Sequence, residues 1–374
     1  MSQNDPIVIV STARTPMGGL LGDFASMTAP QLGSVALDAA VSRARLTPED
    51  IENVVMGCVL PAGQGQAPAR QAALGAGMPK STGCTTVNKM CGSGMQAIMF
   101  AHDMIAGGSF DVMAAGGMES MSNAPYLLPK ARGGYRLGHD RVMDSMFLDG
   151  LEDAYDRGRL MGTFAEDAAQ SYQFSREQQD AYAVASLERA VKAGKDGSFA
   201  EEIAPVKVKT RKGETTIAID EQPGKAQFDK IPTLKPAFRE GGTVTAANSS
   251  SISDGAAAVT MMRRSQAEKR GLAPIATIIG HSTHASTPGL FPSAPVGAIN
   301  RLLDRTGWGA KDVDLWEVNE AFAVVAMIAM RDLGIAHDKI NVHGGACALG
   351  HPIGASGARI LVTLISALRK YGMK

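Results

Sequence analysis

The sequence predicts an α/β layer protein built around a central sheet, and three observations carry that expectation. Short β-branched, apolar runs alternate along the chain with segments whose apolar residues recur at helical spacing. Glycine is abundant, at 42 residues, while aromatics make up only 5% of the chain, so backbones are expected to approach closely. A length of 374 residues with 45% hydrophobic content is enough for two core-bearing units.

Taken in order, residues 7–11 read as a buried strand and residues 31–44 as a helix. The T-P-E-D signal at 47–50 predicts a further helix start. Residues 54–59 read as a strand, 67–76 as a helix, and 85–90 as a strand running into the helical segment CGSGMQAIMFAHDMIAGG. From about residue 118 to 240 the pattern breaks into Met-, Gly- and Pro-rich stretches with a polar helix near 176–193. Within that excursion VKVKTRKGETTIAI alternates around a Lys-Gly turn and predicts an exposed hairpin. The expected organisation is a first half at residues 1–118 plus 243–268, an inserted loop domain at 119–242, and a second half at 269–374. TTVNKMCGSGMQAIMFAHDMI is echoed by INVHGGACALGHPIGASGARILVTLISAL, each reading as strand, Gly-rich elbow and helix. A duplicated unit with the active site between its halves is therefore expected.

Lys plus Arg number 37, as do Asp plus Glu, so the zero formal charge implies no general attraction to nucleic acid or an anionic membrane. Cys58, Cys84, Cys91 and Cys347 form neither a disulfide framework nor a CxxC zinc pair, so no metal is expected and a reducing compartment fits. The start MSQNDPIVIV has no signal or transit pattern, and no apolar run reaches the roughly 18 residues of a membrane span. A cytoplasmic location is expected.

Cys91 falls between a strand end and a helix start, with Gly92 and Gly94 leaving the backbone free to turn beneath it. A thiol at a helix N-terminus is expected to have a lowered pKa and to be nucleophilic. An arbitrary cysteine is more often a small buried hydrophobe, the reading kept for Cys58 and Cys84, and the Gly-flanked elbow reverses those odds for Cys91. His351, bracketed by Gly350 and Pro352 on a loop expected to be mobile, can serve a thiol as base or donate to a carbonyl oxygen. Asn319, in WEVNEAFA, either caps a helix or donates toward a developing oxyanion, and spacing alone leaves the two open.

NKMCGSGMQAI, GGMESMSNAPY, MGTFAED, NSSSISDGAAA, NEAFA and GGACALGHPIGASGAR stand in the order and spacing of the thiolases, and the chain resembles that family over nearly its whole length. The resemblance implies a five-layer αβαβα fold of two similar halves with a loop domain over the site, assembled as a homodimer or homotetramer. It implies an acyltransferase that cleaves 3-oxoacyl-CoA and condenses acetyl-CoA reversibly, with no tightly bound cofactor and coenzyme A thioesters as substrates. By the same resemblance Cys91 carries the acyl group, His351 activates it, and Asn319 positions a catalytic water. Ser250 and Phe238 are expected to touch the pantetheine arm, with Ala246, Leu151, Phe322 and Met161 near it. Lys207, Lys209, Arg211, Lys212, Lys225, Lys230, Lys235 and Arg239 are candidates for the nucleotide phosphates or a solvated face. Met90, Met95, Met118, Met121 and Met161 read as flexible packing.

The sequence departs from the family at three places. Thiolases end in a Gly-rich segment with a second catalytic cysteine, whereas this sequence stops at Lys374 after a helix, and the expectation is that the chain continues. Cys347 is no substitute. Leu160 stands where short-chain thiolases often carry histidine, and His343 where the family frequently has asparagine. A ketoacyl synthase, which lacks the joint NEAFA and GGACALGHPIGASG pattern, and a silent acyl-CoA-binding relative are the competing readings. Fatty acid metabolism is the expected setting, in either direction.

Overall fold

The computed structural model describes residues 5–211 and 213–374, so the polar tip at 1–4 and Lys212 of the hairpin turn lie outside the described residues. The first half opens with β1 (Ile7–Arg14), the two-residue β2 (Gly18–Gly19) and α1 (Ala29–Arg43). It continues through β3 (Asn53–Gly57), α2 (Pro68–Gly75), β4 (Gly83–Val87), α3 (Ser93–Ala106) and β5 (Val112–Ser120). The helix start expected at residues 47–50 is corrected. Asp50 accepts the Thr47 backbone N–H, but only a single 3₁₀ turn forms because Ile51 is already extended and leads into β3.

The excursion contains the short pair β6 (Tyr126–Leu127) and β7 (Met143–Asp144), then α4 (Met161–Ser171) and α5 (Arg176–Lys195). The alternating VKVKT run pairs with GETTI as the hairpin β8 (Val206–Thr210) and β9 (Gly213–Ile217). Its Val206 and Val208 face inward while its lysines stay in water. The chain then returns through β10 (Ser253–Arg263), α6 (Arg264–Lys269) and β11 (Ala276–Thr277). It finishes with α7 (Ala294–Thr306), α8 (Ala323–Leu333), the short α9 (Ala346–Leu349) and α10 (Ser356–Tyr371).

The main sheet runs β11-β1-β10-β5-β3-β4, with β2 attached to β10. β3 lies parallel to both β4 and β5, whereas β10 is antiparallel to β1 and β5. Alternation along β1 assigns its two faces. Val8 and Val10 pack with α1 and α2, while Ile7 and Ile9 pack with α3 and α10. Helix α10 of the second half therefore shares a layer with α3 of the first.

Glycine makes that approach possible. A Cβ on Gly94 of α3 would lie 2.8 Å from the Ala358 backbone nitrogen, and one on Gly357 of α10 would lie 2.5 Å from that of Met95. The repeated Ser-Gly is thus a reciprocal contact between the two echoed helices. The echo is incomplete before the elbow. Instead of a strand at INVHGG there is one parallel bridge, Trp316 to Ile340, after which Asn341 (φ 47°) and Gly344 (φ 79°) turn the chain. Residues 278–287 belong to no helix or ladder.

Candidate active site

Strand β4 ends at Val87, and four backbone and side-chain hydrogen bonds shape the turn that follows. Met90 N–H donates to Asn88 Oδ1 (2.9 Å), Lys89 N–H to Ser93 Oγ (2.7 Å), Ser93 Oγ to Met90 O (2.6 Å) and Gly92 N–H to Lys89 O (3.0 Å). The left-handed residue of this elbow is Met90 (φ 49°), while Gly92 has an ordinary φ of −88°. The turning role expected of Gly92 and Gly94 is therefore corrected: Gly94 is small to admit α10, and backbone strain sits beside the nucleophile on a residue with a side chain.

Cys91 is half-buried against the apolar cluster of Val59, Leu60, Met121, Met146 and Ile353, with Leu151 and Ile252 at its margin. Burial pushes its thiol up to about 11, with the Glu119 carboxylate acting in the same direction. The expectation of a lowered pKa is overturned, because desolvation of the thiolate outweighs the helix N-terminus.

His351 is also corrected: it is buried, not carried on a mobile edge. Its backbone N–H reaches Ser251 O (3.1 Å) and Ser253 Oγ (3.2 Å), and it bridges Ile252 in parallel fashion. Ring Nδ1 lies 2.5 Å from Ser356 Oγ, which donates its proton to Pro352 O (3.0 Å). A hydroxyl has one proton, so it accepts from His351 Nδ1–H, and this places the ring's lone pair on Nε2. Nε2 faces the Asn319 amide at 3.4 Å. Burial, aided by the Arg359 guanidinium, lowers His351 to about 3, so the ring is neutral at ordinary pH. Ile353, two residues past His351, belongs to the cluster that holds Cys91, and a protonated thiol and a neutral imidazole exchange their proton during attack, not before it.

The sequence matches the family model for the thiolase N-terminal domain over residues 7–265 and that for the thiolase C-terminal domain over residues 272–374. The chain belongs to the thiolase family. It is 50% identical to acetyl-CoA acetyltransferase 1 of Arabidopsis thaliana over 98% of this chain and 90% of that protein. It is 46% identical to an acetyl-CoA acetyltransferase of Cupriavidus necator, over 98% and 94%. The crystal structure of a thiolase from Ascaris suum in complex with coenzyme A superposes with a TM-score of 0.92 at 39% identity, covering 97% of this chain and 93% of the other. The two-halved thiolase fold and acyltransferase chemistry follow for this chain.

In this thiolase Ser250 sits against the loop after Asn319, its N–H (3.0 Å) and Oγ (2.9 Å) both donating to Ala321 O. Phe322 meets Phe238 edge to face at 5.9 Å. The Phe238 ring lies over Gly162, where a Cβ would come within 2.4 Å of it, and Met161 packs into the same cluster. Leu151 instead closes the Cys91 side, and Ala246 is exposed nearby in sequence to Ser250. Among the basic candidates Lys207 pairs with Glu214, Lys225 with Glu221 and Arg239 with Asp167. Of these, Arg239 adjoins the aromatic lining; Lys207 lies on the hairpin.

Cys347 donates its thiol to Glu320 O (3.8 Å), and burial raises it well above its ordinary value. His343 bonds Tyr371 Oη (3.2 Å) and meets Phe199 edge to face. Tyr371 is the last residue of α10, whose first residue, Ser356, holds His351. Sequence reasoning missed Ser356 and Glu119. The available signals were a hydroxyl one turn after His351 and a lone carboxylate closing the small-residue strand VMAAGGMES.

Proposed function

We propose that this thiolase transfers acetyl groups between coenzyme A and Cys91, acting on acetyl-CoA and 3-oxoacyl-CoA. The observation that carries the assignment is the neutral His351 ring, locked through Nδ1 to Ser356 and presenting Nε2 beside Asn319, in the loop that walls the Cys91 thiol. On attack the Cys91 sulfur bonds the thioester carbonyl carbon while its proton passes to His351 Nε2. The tetrahedral intermediate collapses, the carbon–sulfur bond to coenzyme A breaks, and His351 returns the proton to the departing sulfur. In condensation the α-carbon of a second acetyl-CoA gives up a proton, bonds that carbonyl carbon and displaces the Cys91 thiolate, and the proton lost from the α-carbon balances the one the thiolate takes up. Asn319 supports this chemistry by donating from its amide toward the developing oxyanion or the water that solvates it.

Phe238, Phe322, Met161 and Ser250 form one wall for the pantetheine arm, Leu151 faces the thiol, and Ala246 lies at the mouth. Arg239, next to Phe238, is the phosphate contact this reading favours. Coenzyme A enters as substrate, not as a resident cofactor. The exposed Tyr126, Leu128, Leu137 and Val142 of the excursion suit burial against another copy of the chain, in a homodimer or homotetramer. The four free cysteines suit a reducing, cytoplasmic setting in fatty acid metabolism. No helix among the described residues is long and apolar enough to cross a membrane.

Intact mass before and after brief exposure to acetyl-CoA tests the assignment. The wild-type protein gains one acetyl group and Cys91→Ser gains none while keeping its fold. An acetylated, active Cys91→Ser protein overturns the choice of nucleophile.

A further inference from the structure

Glu119, the penultimate residue of β5, is completely buried and is tied to the site by neutral donors. Its Oε2 accepts from the backbone N–H of Val59 (2.9 Å) and of Gly354 (2.9 Å). Its Oε1 accepts from Leu60 N–H (3.1 Å) and from the Cys58 thiol (3.5 Å). Val59 and Leu60 belong to the loop after β3, in the first half, and Gly354 lies three residues past His351, in the second.

These donors frame the reacting groups from both sides. Val59, Leu60 and Ile353 belong to the cluster against which Cys91 packs. The loop is pressed onto the carboxylate without slack: a Cβ on Gly354 would lie 2.6 Å from Glu119 Oε2 and 3.0 Å from Cys58 Cα, and one on Gly117 would lie 2.1 Å from Gly354 O. Four converging donors require an acceptor with no proton-bearing group among them, which a carboxylate meets and an amide does not.

We propose that Glu119 is a positioning residue of the acyl-transfer site, one carboxylate that holds the wall of the Cys91 pocket and the His351 loop in register across the two halves. The proposal rests on the assignment of Cys91 and His351 above. Burial raises Glu119 to about 7, and its negative charge in turn acts to raise the Cys91 thiol. The hydrogen bonds of Glu119 go to Cys58, Val59, Leu60 and Gly354, not to Cys91, His351 or Asn319.

Glu119→Gln turns an amide N–H toward two of the donors, and Glu119→Asp keeps the charge while withdrawing it by one methylene. Both are compared with wild type by single-turnover acetyl loading of Cys91, by the KM for acetyl-CoA, by thermal melting, and by the pH profile of Cys91 alkylation with iodoacetamide. A displacement of about 1 Å at reacting groups lowers rates by up to about a hundredfold, so Glu119→Gln is expected to load about tenfold to a hundredfold more slowly. Its KM is expected to be unchanged, its alkylation profile shifted to lower pH, and part of the loading rate restored in Glu119→Asp.

Wild-type loading and an unshifted alkylation profile in folded Glu119→Gln overturn the proposal. So does a loss that only follows the unfolded fraction. If Glu119→Gln does not fold, Glu119→Asp decides: a folded variant loading at the wild-type rate also overturns it. Alkylation needs no acyl transfer, so if wild type itself gains no acetyl group the nucleophile assignment fails and the alkylation comparison still decides the role of Glu119.

Discussion

Replacing Ser356 with alanine removes the acceptor that fixes the His351 tautomer, and the structure sets the size of the effect. Pro352 O keeps the Ser356 backbone N–H as a donor at 3.0 Å, so the group orphaned by the change is His351 Nδ1–H alone, in a fully buried position. An unsatisfied buried donor costs about 1–3 kcal/mol. The ring escapes that cost by moving its proton to Nε2, which removes the lone pair that receives the Cys91 proton. Either route raises the barrier to acyl transfer by about 1–3 kcal/mol, which is roughly fivefold to somewhat over a hundredfold in rate. Quenched single-turnover loading followed by intact mass measures this directly. The KM for acetyl-CoA should stay constant, because no substrate contact is assigned to Ser356. A folded Ser356→Ala protein that loads at the wild-type rate would refute the tautomer argument.

Two further predictions address the packing and the pH dependence. Gly94→Ala places a methyl group 2.8 Å from the Ala358 backbone nitrogen and should cost about 1–3 kcal/mol of stability by overpacking. Gly92→Ala, whose nearest neighbour would be 3.4 Å away, should be close to neutral, and chemical denaturation of both separates the two glycines' roles. His351 and His343, lowered to about 3 and about 4 from 6.5, bind protons in the unfolded chain before the folded one. Their contribution is complete above about pH 6.5 and is lost as the pH falls toward 3. Glu317, raised to about 8 from 4.5 by burial, acts oppositely. Its contribution is complete below 4.5 and is lost as the pH rises through 8, so Glu317→Gln should flatten the alkaline side of a stability-versus-pH curve.

The sequence by itself determined the features that depend on near neighbours along the chain. The β-branched run at residues 7–11 predicted a buried strand, and the alternating VKVKTRKGETTIAI predicted a hairpin, because side-chain period follows directly from backbone geometry. The six family segments singled out Cys91, His351 and Asn319, and the structure brings His351 and Asn319 within 3.4 Å. Tertiary structure decided the chemistry of those groups. Whether the Cys91 thiol is raised or lowered depends on how much protein excludes water from it, and helix position alone gave the wrong sign. The His351 proton is placed by Ser356, whose part could be read only once the loop closed on itself. Glu119 gathers donors 59, 60 and 235 residues away, a set that no local pattern encodes. Periodicity and turn chemistry are local and therefore legible; desolvation and convergent hydrogen bonding arise only when distant segments share one interior.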